Sequence, residues 1–296
     1  MFSDTHFHFH HLVEDRGLDG AEILQKLCER STFFALDIGT RADDLLPRRE
    51  IIEKEISRLP EKLQKQTHDF IFYSAGIWPD VEEIKDRHNA LKKLKASIEE
   101  FCKTSGRKLT AIGECGIDHH WNPAGADGRS ESDFDAEVFK GEKELFCMQL
   151  EYAQSLDLPV IVHSRDAFKD TLDCIKETGY SKGIIHCYSY GLEEAKVFLD
   201  SGWYLAFGGA TTYTKKSKME QMTELLRYVP EDRLLIETDS PYLAPVPFRG
   251  QTNTPVLIEH VYNFIAAARN TTPEDLSQTV DKNIRNLFNL NFEFLQ

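Results

Sequence analysis

The fold of this chain is indicated by its opening stretch, Phe2-Ser3-Asp4-Thr5-His6-Phe7-His8, residues 2–8. We predict a strand over Phe2–His6, and a second histidine, His8, follows two residues after His6. An open, doubly wound sheet would usually carry a glycine-rich phosphate-binding turn after its first strand. Histidines occupy that place here, and this favours the alternative architecture, a (β/α)8 barrel.

The rest of the chain alternates short apolar runs with longer amphipathic stretches. Leu94, Ile98 and Phe101 fall on one helical face, and Thr272 followed by Pro273 marks the start of the last helix. Eight strands alternating with helices over 296 residues predict a single-domain α/β TIM barrel spanning residues 1–296. The predicted strands are Phe2–His6, Phe33–Ile38, Phe70–Ala75, Leu109–Gly113, Val160–His163, Gly183–Cys187, Trp203–Phe207 and Leu234–Glu237.

Two segments are predicted to be loop excursions at the carboxyl ends of strands, where barrel enzymes keep their chemistry. Asn122–Asp135 is rich in Gly, Ser and acidic residues, so it has no apolar face to bury. Arg41–Asp69 is long and charged, with helical periodicity in its middle.

Composition excludes several classes of protein. Lys and Arg number 35 and Asp and Glu 49, so the net charge is 35 − 49 = −14, a poor match to a protein that coats duplex DNA. No apolar run approaches the roughly 18 residues of a membrane span, and the first residues lack a signal-peptide pattern. We expect a cytoplasmic protein without a membrane partner. The six cysteines form no C-x-x-C pair, which argues against a cysteine-built zinc site.

Ionisable residues follow the predicted strands at five places. His6 and His8 alternate on one face of the first strand, about 7 Å apart. Singly, such residues are more often hydrogen-bonded structural groups, but in a barrel these strand ends face one opening, and jointly they predict a metal site. Six ligands exceed the needs of one tetrahedral ion, whereas a carboxylate shared by two ions accommodates them. The candidate ligands are His6, His8, Glu114, His163, His186 and Asp239.

The segments that carry these residues also resemble a known family, in order and from residue 1 to about residue 290. They are similar to the signatures of the TatD-type metal-dependent deoxyribonucleases. The matching segments are Ser3-Asp4-Thr5-His6-Phe7-His8, Gly113-Glu114-Cys115-Gly116-Ile117-Asp118, Val162-His163-Ser164-Arg165-Asp166-Ala167, His186-Cys187-Tyr188-Ser189, Glu237-Thr238-Asp239-Ser240-Pro241-Tyr242 and Pro245-Val246-Pro247-Phe248-Arg249-Gly250.

The resemblance implies a barrel of the amidohydrolase type that hydrolyses phosphoester bonds in DNA. It implies that His6, His8 and Asp239 bind a first metal, and that Asp239 also orients or deprotonates the attacking water. Glu114 would bridge two metals. Imidazole and carboxylate ligands suit Zn, Mn, Fe or Ni better than an all-oxygen Mg site. The family is usually described as magnesium-dependent, so one or two divalent ions, Mg, Mn or Zn, are expected.

The second metal would be held by His163 and His186. Two arginines near the ligands are candidates for phosphate binding, because guanidinium pairs bidentately with phosphate. These are Arg165 and Arg249, for which structural ion pairing is the alternative. Trp78 stands where the family usually has a histidine, and a nucleobase can stack on its indole.

Three functions remain open at this stage. The first is a metal-dependent deoxyribonuclease, monomeric, with DNA as substrate, single-stranded or at 3′ ends. The second is a metal-dependent amidohydrolase or esterase acting on a small non-nucleic substrate, which Trp78 in place of the family's usual histidine and the net charge of −14 favour. The third is a metal-containing binding protein. A set of metal ligands able to activate water argues for the two enzymes over the binding protein. The resemblance favours the deoxyribonuclease.

Overall fold

The computed structural model describes residues 2–107, 109–120, 130 and 134–290. Within them, every predicted strand is present, and the ends differ from prediction by at most two residues, except that β4 ends five residues later, at Asp118 instead of Gly113. All strand pairs are parallel, and the strand order in the sheet follows the chain order. The strands are β1 Asp4–Phe7, β2 Ala35–Asp37, β3 Ile71–Ala75, β4 Ala111–Asp118, β5 Val160–Arg165, β6 Gly183–Ile185, β7 Tyr204–Phe207 and β8 Leu234–Ile236.

Helices occupy most of the connections between these strands. Thr272 caps the last helix by accepting a hydrogen bond from Asp275 N, and Pro273 is its first residue, as predicted. The helices are α1 Gly20–Glu29, α2 Leu45–Ser57, α3 Glu61–Phe70, α4 Val81–Lys85, α5 Arg87–Ser105, α6 Ala136–Leu156, α7 Phe168–Thr178, α8 Leu192–Asp200, α9 Met219–Tyr228, α10 Ile258–Arg269 and α11 Pro273–Phe288. None of the described helices is both long and apolar enough to cross a membrane.

The contacts divide the chain into two compact units, the first made of residues 1–38, 47–72 and 186–296. In this unit β1 pairs with β2, and β7 pairs with β8. The segment after β8 returns to β1, because Asp239 N donates to His6 O and His8 N donates to Ser240 O, each at 2.8 Å. The first strand and the end of the last strand therefore lie side by side.

The second unit comprises residues 39–46 and 73–185. Its centre is β4, all eight residues of which are buried, with β3 and β5 on either side and β6 beyond β5. On α5, Leu94, Ile98 and Phe101 are buried, which confirms the predicted apolar face.

The sequential order of eight parallel strands, with the end of the last beside the first, is the topology of a (β/α)8 barrel. The predicted fold class is confirmed, and the single-domain organisation stays a prediction. Of the two segments predicted to be loop excursions, one is different in the structure and the other is mostly not described. Arg41–Asp69 holds α2 and most of α3, so its periodic residues form helices. Most of Asn122–Asp135 lies outside the described residues.

Candidate metal centre

Three predicted ligands converge in the first unit, where β1 and β8 end. His6 Nε2 lies 3.3 Å from His8 Nε2, and these atoms lie 3.6 Å and 3.5 Å from Asp239 Oδ1. Two imidazoles on a regular strand would stay about 7 Å apart, but the register of β1 against β2 shifts between Asp4 and Phe7. Nitrogen and oxygen ligands about 2.1 Å from a tetrahedral ion are about 3.4 Å from one another. The three distances therefore match those between the ligand atoms of a tetrahedral divalent-cation site.

Asp239 is fixed by the backbone around it. Its φ of +55° is rare for a residue with a side chain, and its N–H donates to His6 O. Burial opposes ionisation, but the hydrogen bond with His8 and the nearby His6 and His186 rings outweigh burial and lower the pKa of Asp239. The carboxylate is thus ionised at neutral pH, the form that binds a cation.

A buried carboxylate, Asp4, connects the two ligand segments. Its Oδ1 accepts from His6 N at 3.1 Å and from Thr238 N at 3.0 Å, and its Oδ2 accepts from Thr238 Oγ1 at 2.6 Å. Burial raises the pKa of Asp4 to about 7, although these hydrogen bonds act in the other direction. Asp4 therefore holds the backbone of His6 against the residue that precedes Asp239.

His186 also lies beside this group, with its ring stacked on that of His6 at 4.0 Å between centroids and an angle of 10°. A fully buried carboxylate supports it, because Glu237 Oε1 lies 3.4 Å from His186 Nδ1 and accepts from Cys187 N. Carboxylates that contact metal-binding imidazoles in this way fix the ring orientation. Sequence reasoning did not assign Glu237 a role, although an acidic residue at the end of an apolar strand was the available signal.

In the second unit, Glu114 and His163 are in direct contact. His163 Nδ1 lies 2.9 Å from Glu114 Oε1, and His163 Nε2 lies 2.9 Å from Asp118 Oδ2. Burial lowers the pKa of His163, but its hydrogen bonds with Asp118 and Glu114 prevail and raise the pKa to about 8. The imidazole is thus held between two carboxylates of β4.

Asp118 is a site residue that sequence reasoning missed, because β4 was predicted to end at Gly113. The strand continues to Asp118, and its alternation places Glu114, Gly116 and Asp118 on one face. Gly116 lies opposite His163 in the β4–β5 register, with φ +151°, and a Cβ at this position would overlap the His163 carbonyl oxygen. The glycine therefore allows the close approach that seats His163 between the two acids.

The predicted substrate-binding residues fall in different surroundings. Trp78, in the second unit, meets the His163 ring edge-on at 5.7 Å. Arg165 is the exposed last residue of β5. Arg249, in the first unit, is exposed, and its guanidinium lies 4.5 Å from the centre of the Tyr213 ring. Trp78 therefore lies against a predicted ligand, whereas Arg249 stacks on an aromatic side chain.

Two further histidines, His10 and His11, follow His6 and His8 in the first unit. The rings of His10 and His11 are 3.9 Å apart, and His11 Nδ1 lies 3.1 Å from the hydroxyl oxygen of Tyr242. Burial lowers the pKa of His10 to about 2, with smaller contributions from neighbouring groups including Arg48. His10 is therefore neutral at physiological pH, while Tyr242, beside His11, is 43% exposed.

Comparisons with known proteins agree over almost the whole length. The model of the family described as TatD related DNase matches residues 3–289. The uncharacterized metal-dependent hydrolase YcfH of Escherichia coli K12 is 31% identical over 99% of this chain and 97% of its own. The uncharacterized metal-dependent hydrolase YabD of Bacillus subtilis is 31% identical over 98% of this chain and 100% of its own.

Solved structures support the same architecture. The crystal structure of YJJV, a TatD homolog from Escherichia coli K12, has a TM-score of 0.77 at 24% identity and covers 98% of each chain. A hydrolase TatD family protein from Entamoeba histolytica has a TM-score of 0.69 at 21% identity, covering 91% of this chain and 89% of its own. These likenesses confirm the barrel fold. With the family model matching residues 3–289, the chain belongs to the TatD-related DNase family.

Proposed function

We propose that this member of the TatD family, a metal-dependent hydrolase, cleaves phosphodiester bonds of DNA. The single observation that supports the proposal most is the convergence of His6, His8 and Asp239 in the first unit, with ligand atoms 3.3 to 3.6 Å apart. Two neutral imidazoles and a carboxylate are a donor set typical of hydrolytic divalent-metal sites.

Each ligand has a role in this proposal. His6 and His8 would hold the cation through Nε2, and Asp239 would supply a carboxylate oxygen. From the matched motifs we assign Glu114, as a bridging carboxylate, and His163 and His186 to further ligand roles. Glu237 is a positioning residue, because it contacts His186 Nδ1 on the side away from Nε2. We therefore expect that removing any one of these side chains weakens metal binding more than it destabilises the fold.

The chemistry divides between the cation and the chain. A divalent cation, when bound, polarises a phosphoryl oxygen and lowers the pKa of water, so that hydrolysis proceeds at neutral pH. Asp239 orients the attacking water and accepts its proton. We propose Arg165 and Arg249 as phosphate-binding residues and Trp78 as a surface on which a nucleobase stacks. We propose single-stranded DNA, attacked from its 3′ end, as the substrate.

The net charge of −14 supports a second candidate function. A negative surface repels a polyanion at a distance, which lowers the rate of encounter with long DNA. A metal-dependent amidohydrolase or esterase with a small substrate would not carry this penalty. Activity on lactones or amides, without activity on oligonucleotides, would favour this candidate.

The proposal is tested by incubating the purified protein with single-stranded oligonucleotides labelled at the 5′ or the 3′ end, with Mg, Mn or Zn. We expect a ladder of shortened products, and we expect Asp239→Asn to reduce the rate by at least about a hundredfold because the chain loses both a ligand and a base. Asp200→Asn, which changes an exposed carboxylate at the end of α8, is the matched control and should retain the activity. No degradation with any of the metals would refute the proposal.

A further inference from the structure

A short segment of the first unit, residues 242–249, presents apolar side chains to solvent just after Asp239. Five large hydrophobic side chains are exposed among the residues that the structure describes, and three of the five belong to this segment. They are Tyr242 at 43%, Leu243 at 38% and Val246 at 49%. Exposed apolar groups that gather in one place mark binding surfaces, whereas scattered ones need no explanation. Their position next to a proposed metal ligand indicates a surface for substrate.

This segment is anchored at several points, although it belongs to no helix or strand. Tyr242 N donates to Asp239 O at 2.9 Å, and Asn253 Nδ2 donates to Tyr242 O at 2.7 Å. Val246 N donates to Thr212 Oγ1 at 2.9 Å. The exposed side chains therefore stand on a backbone that is already fixed, and binding to them costs little ordering of the chain.

The ring of Tyr242 lies beside the proposed metal ligands. Its centroid is 6.0 Å from the centroid of the His8 ring, and its hydroxyl oxygen lies 3.1 Å from His11 Nδ1. The contact with His11 holds one end of the tyrosine, while 43% of the residue stays exposed. A strand of duplex DNA carries one phosphate per about 3.4 Å of helix axis. A ring 6.0 Å from His8 is therefore within about two nucleotides of a phosphate held at the proposed cation.

We propose that Tyr242 stacks on a nucleobase of the substrate, next to the bond that is cleaved. This inference rests on the function proposed above, and it names the base as the part of the strand that the ring recognises. Surfaces that bind single strands combine aromatic rings with cations along the backbone. Arg249 supplies such a cation at the other end of the segment, where it stacks on Tyr213, whose hydroxyl donates to Ala244 O. Because a base paired within a duplex is not free to stack on the ring, the contact favours single strands.

The test compares two single-stranded oligonucleotides as substrates of the wild-type protein and of Tyr242→Ala, with the metal that supports cleavage. One oligonucleotide carries all its bases, and the other lacks the bases of the last two nucleotides at its 3′ end. Stacking of one base on an aromatic side chain is worth about fivefold to 150-fold in affinity. We expect Tyr242→Ala to raise KM for the complete oligonucleotide by a factor in this range with kcat unchanged, the pattern of a lost binding contact. KM for the abasic oligonucleotide should not change.

Two further variants assign the effect to the ring. Tyr242→Phe keeps the ring and should recover most of the affinity that Tyr242→Ala loses, so that the contact with His11 is not the cause. Tyr228→Ala removes a tyrosine of α9 that is 45% exposed, and this matched control should leave both KM values unchanged.

The outcomes separate this inference from the proposed function. Cleavage by the wild-type protein with the same KM for both oligonucleotides would overturn this inference alone. An equal rise in KM for both oligonucleotides in Tyr242→Ala, or no rise for the complete one, would also overturn it. Failure of the wild-type protein to cleave either oligonucleotide would refute the proposed function and this inference with it.

Discussion

A buried ion pair next to the proposed metal ligands offers the sharpest test of how the first unit is held together. Arg48 of α2 donates to Asp37 Oδ2 at the end of β2, and both side chains are almost completely buried. The other carboxylate oxygen, Asp37 Oδ1, accepts from Phe9 N at 3.0 Å. Phe9 directly follows His8, one of the proposed ligands. The pair therefore anchors the chain just beyond the proposed metal site.

We expect Arg48→Met to lower the free energy of unfolding by about 3–5 kcal/mol. Methionine fills much of the space, but it leaves the buried Asp37 carboxylate without its cationic partner, and an uncompensated buried charge costs that much. For a chain of this size the loss corresponds to a fall of roughly 10 °C in the melting temperature. Urea denaturation followed by circular dichroism measures the change directly.

A double variant tests the stated cause. In Arg48→Met combined with Asp37→Asn, the buried charge disappears, while the asparagine oxygen can still accept from Phe9 N. We therefore expect the double variant to recover about 2 kcal/mol relative to Arg48→Met alone, because the desolvated charge is gone. If the double variant is no more stable than Arg48→Met, the uncompensated charge is not the cause and the reasoning is refuted.

Three further predictions concern the positioning acid, a buried acid and a glycine. Glu237→Gln should weaken metal binding about tenfold to a hundredfold in calorimetric titrations, because it weakens the hold on His186; unchanged affinity would contradict this role. Burial raises the pKa of Asp281 to about 6, above its unfolded value near 3.9, so protonation favours the fold and stability falls as pH rises from about 4 to 6. Asp281→Asn should therefore raise the free energy of unfolding by about 1–3 kcal/mol at pH 8 and by little at pH 4 in urea titrations; an equal effect at both would exclude this cause. Gly116→Ala should abolish soluble expression, since a methyl group would overlap the facing strand, whereas Gly179→Ala, with φ +66° and open space, should cost only about 1 kcal/mol in thermal melts.

Much of the fold was predictable because its signals are local. Most of the strands contain a short apolar run, and each of these runs is visible in the sequence without knowledge of its neighbours. The predicted end of β4, at Gly113, was wrong for a physical reason. After Gly113 the strand carries Glu114, Gly116 and Asp118, and these residues do not fit the pattern of apolar residues by which strands are recognised. The charged residues continue the strand because Glu114 and Asp118 pair with His163.

The sequence was sufficient to predict which residues belong to the candidate site, but it was less informative about the contacts between them. His6, His8 and Asp239 belong to recognisable motifs, and the structure brings them together. The contact of Glu237 with His186 depends on the paths of two segments, which no local pattern encodes. The contact between Asp118 and His163 depends likewise on the register of β4 and β5.

The return of the segment after β8 to β1 has a consequence for the time at which the site is completed. His6 and Asp239 are 233 residues apart in the chain, and their segments are joined by hydrogen bonds between neighbouring backbones. At about 5–20 residues per second, a ribosome makes Asp239 roughly 10–50 s after His6. Until then a nascent chain carries the two imidazoles without their carboxylate. With the ligands proposed above, tight metal binding therefore follows the synthesis of Asp239, and a nascent chain that has not reached this residue lacks the proposed site.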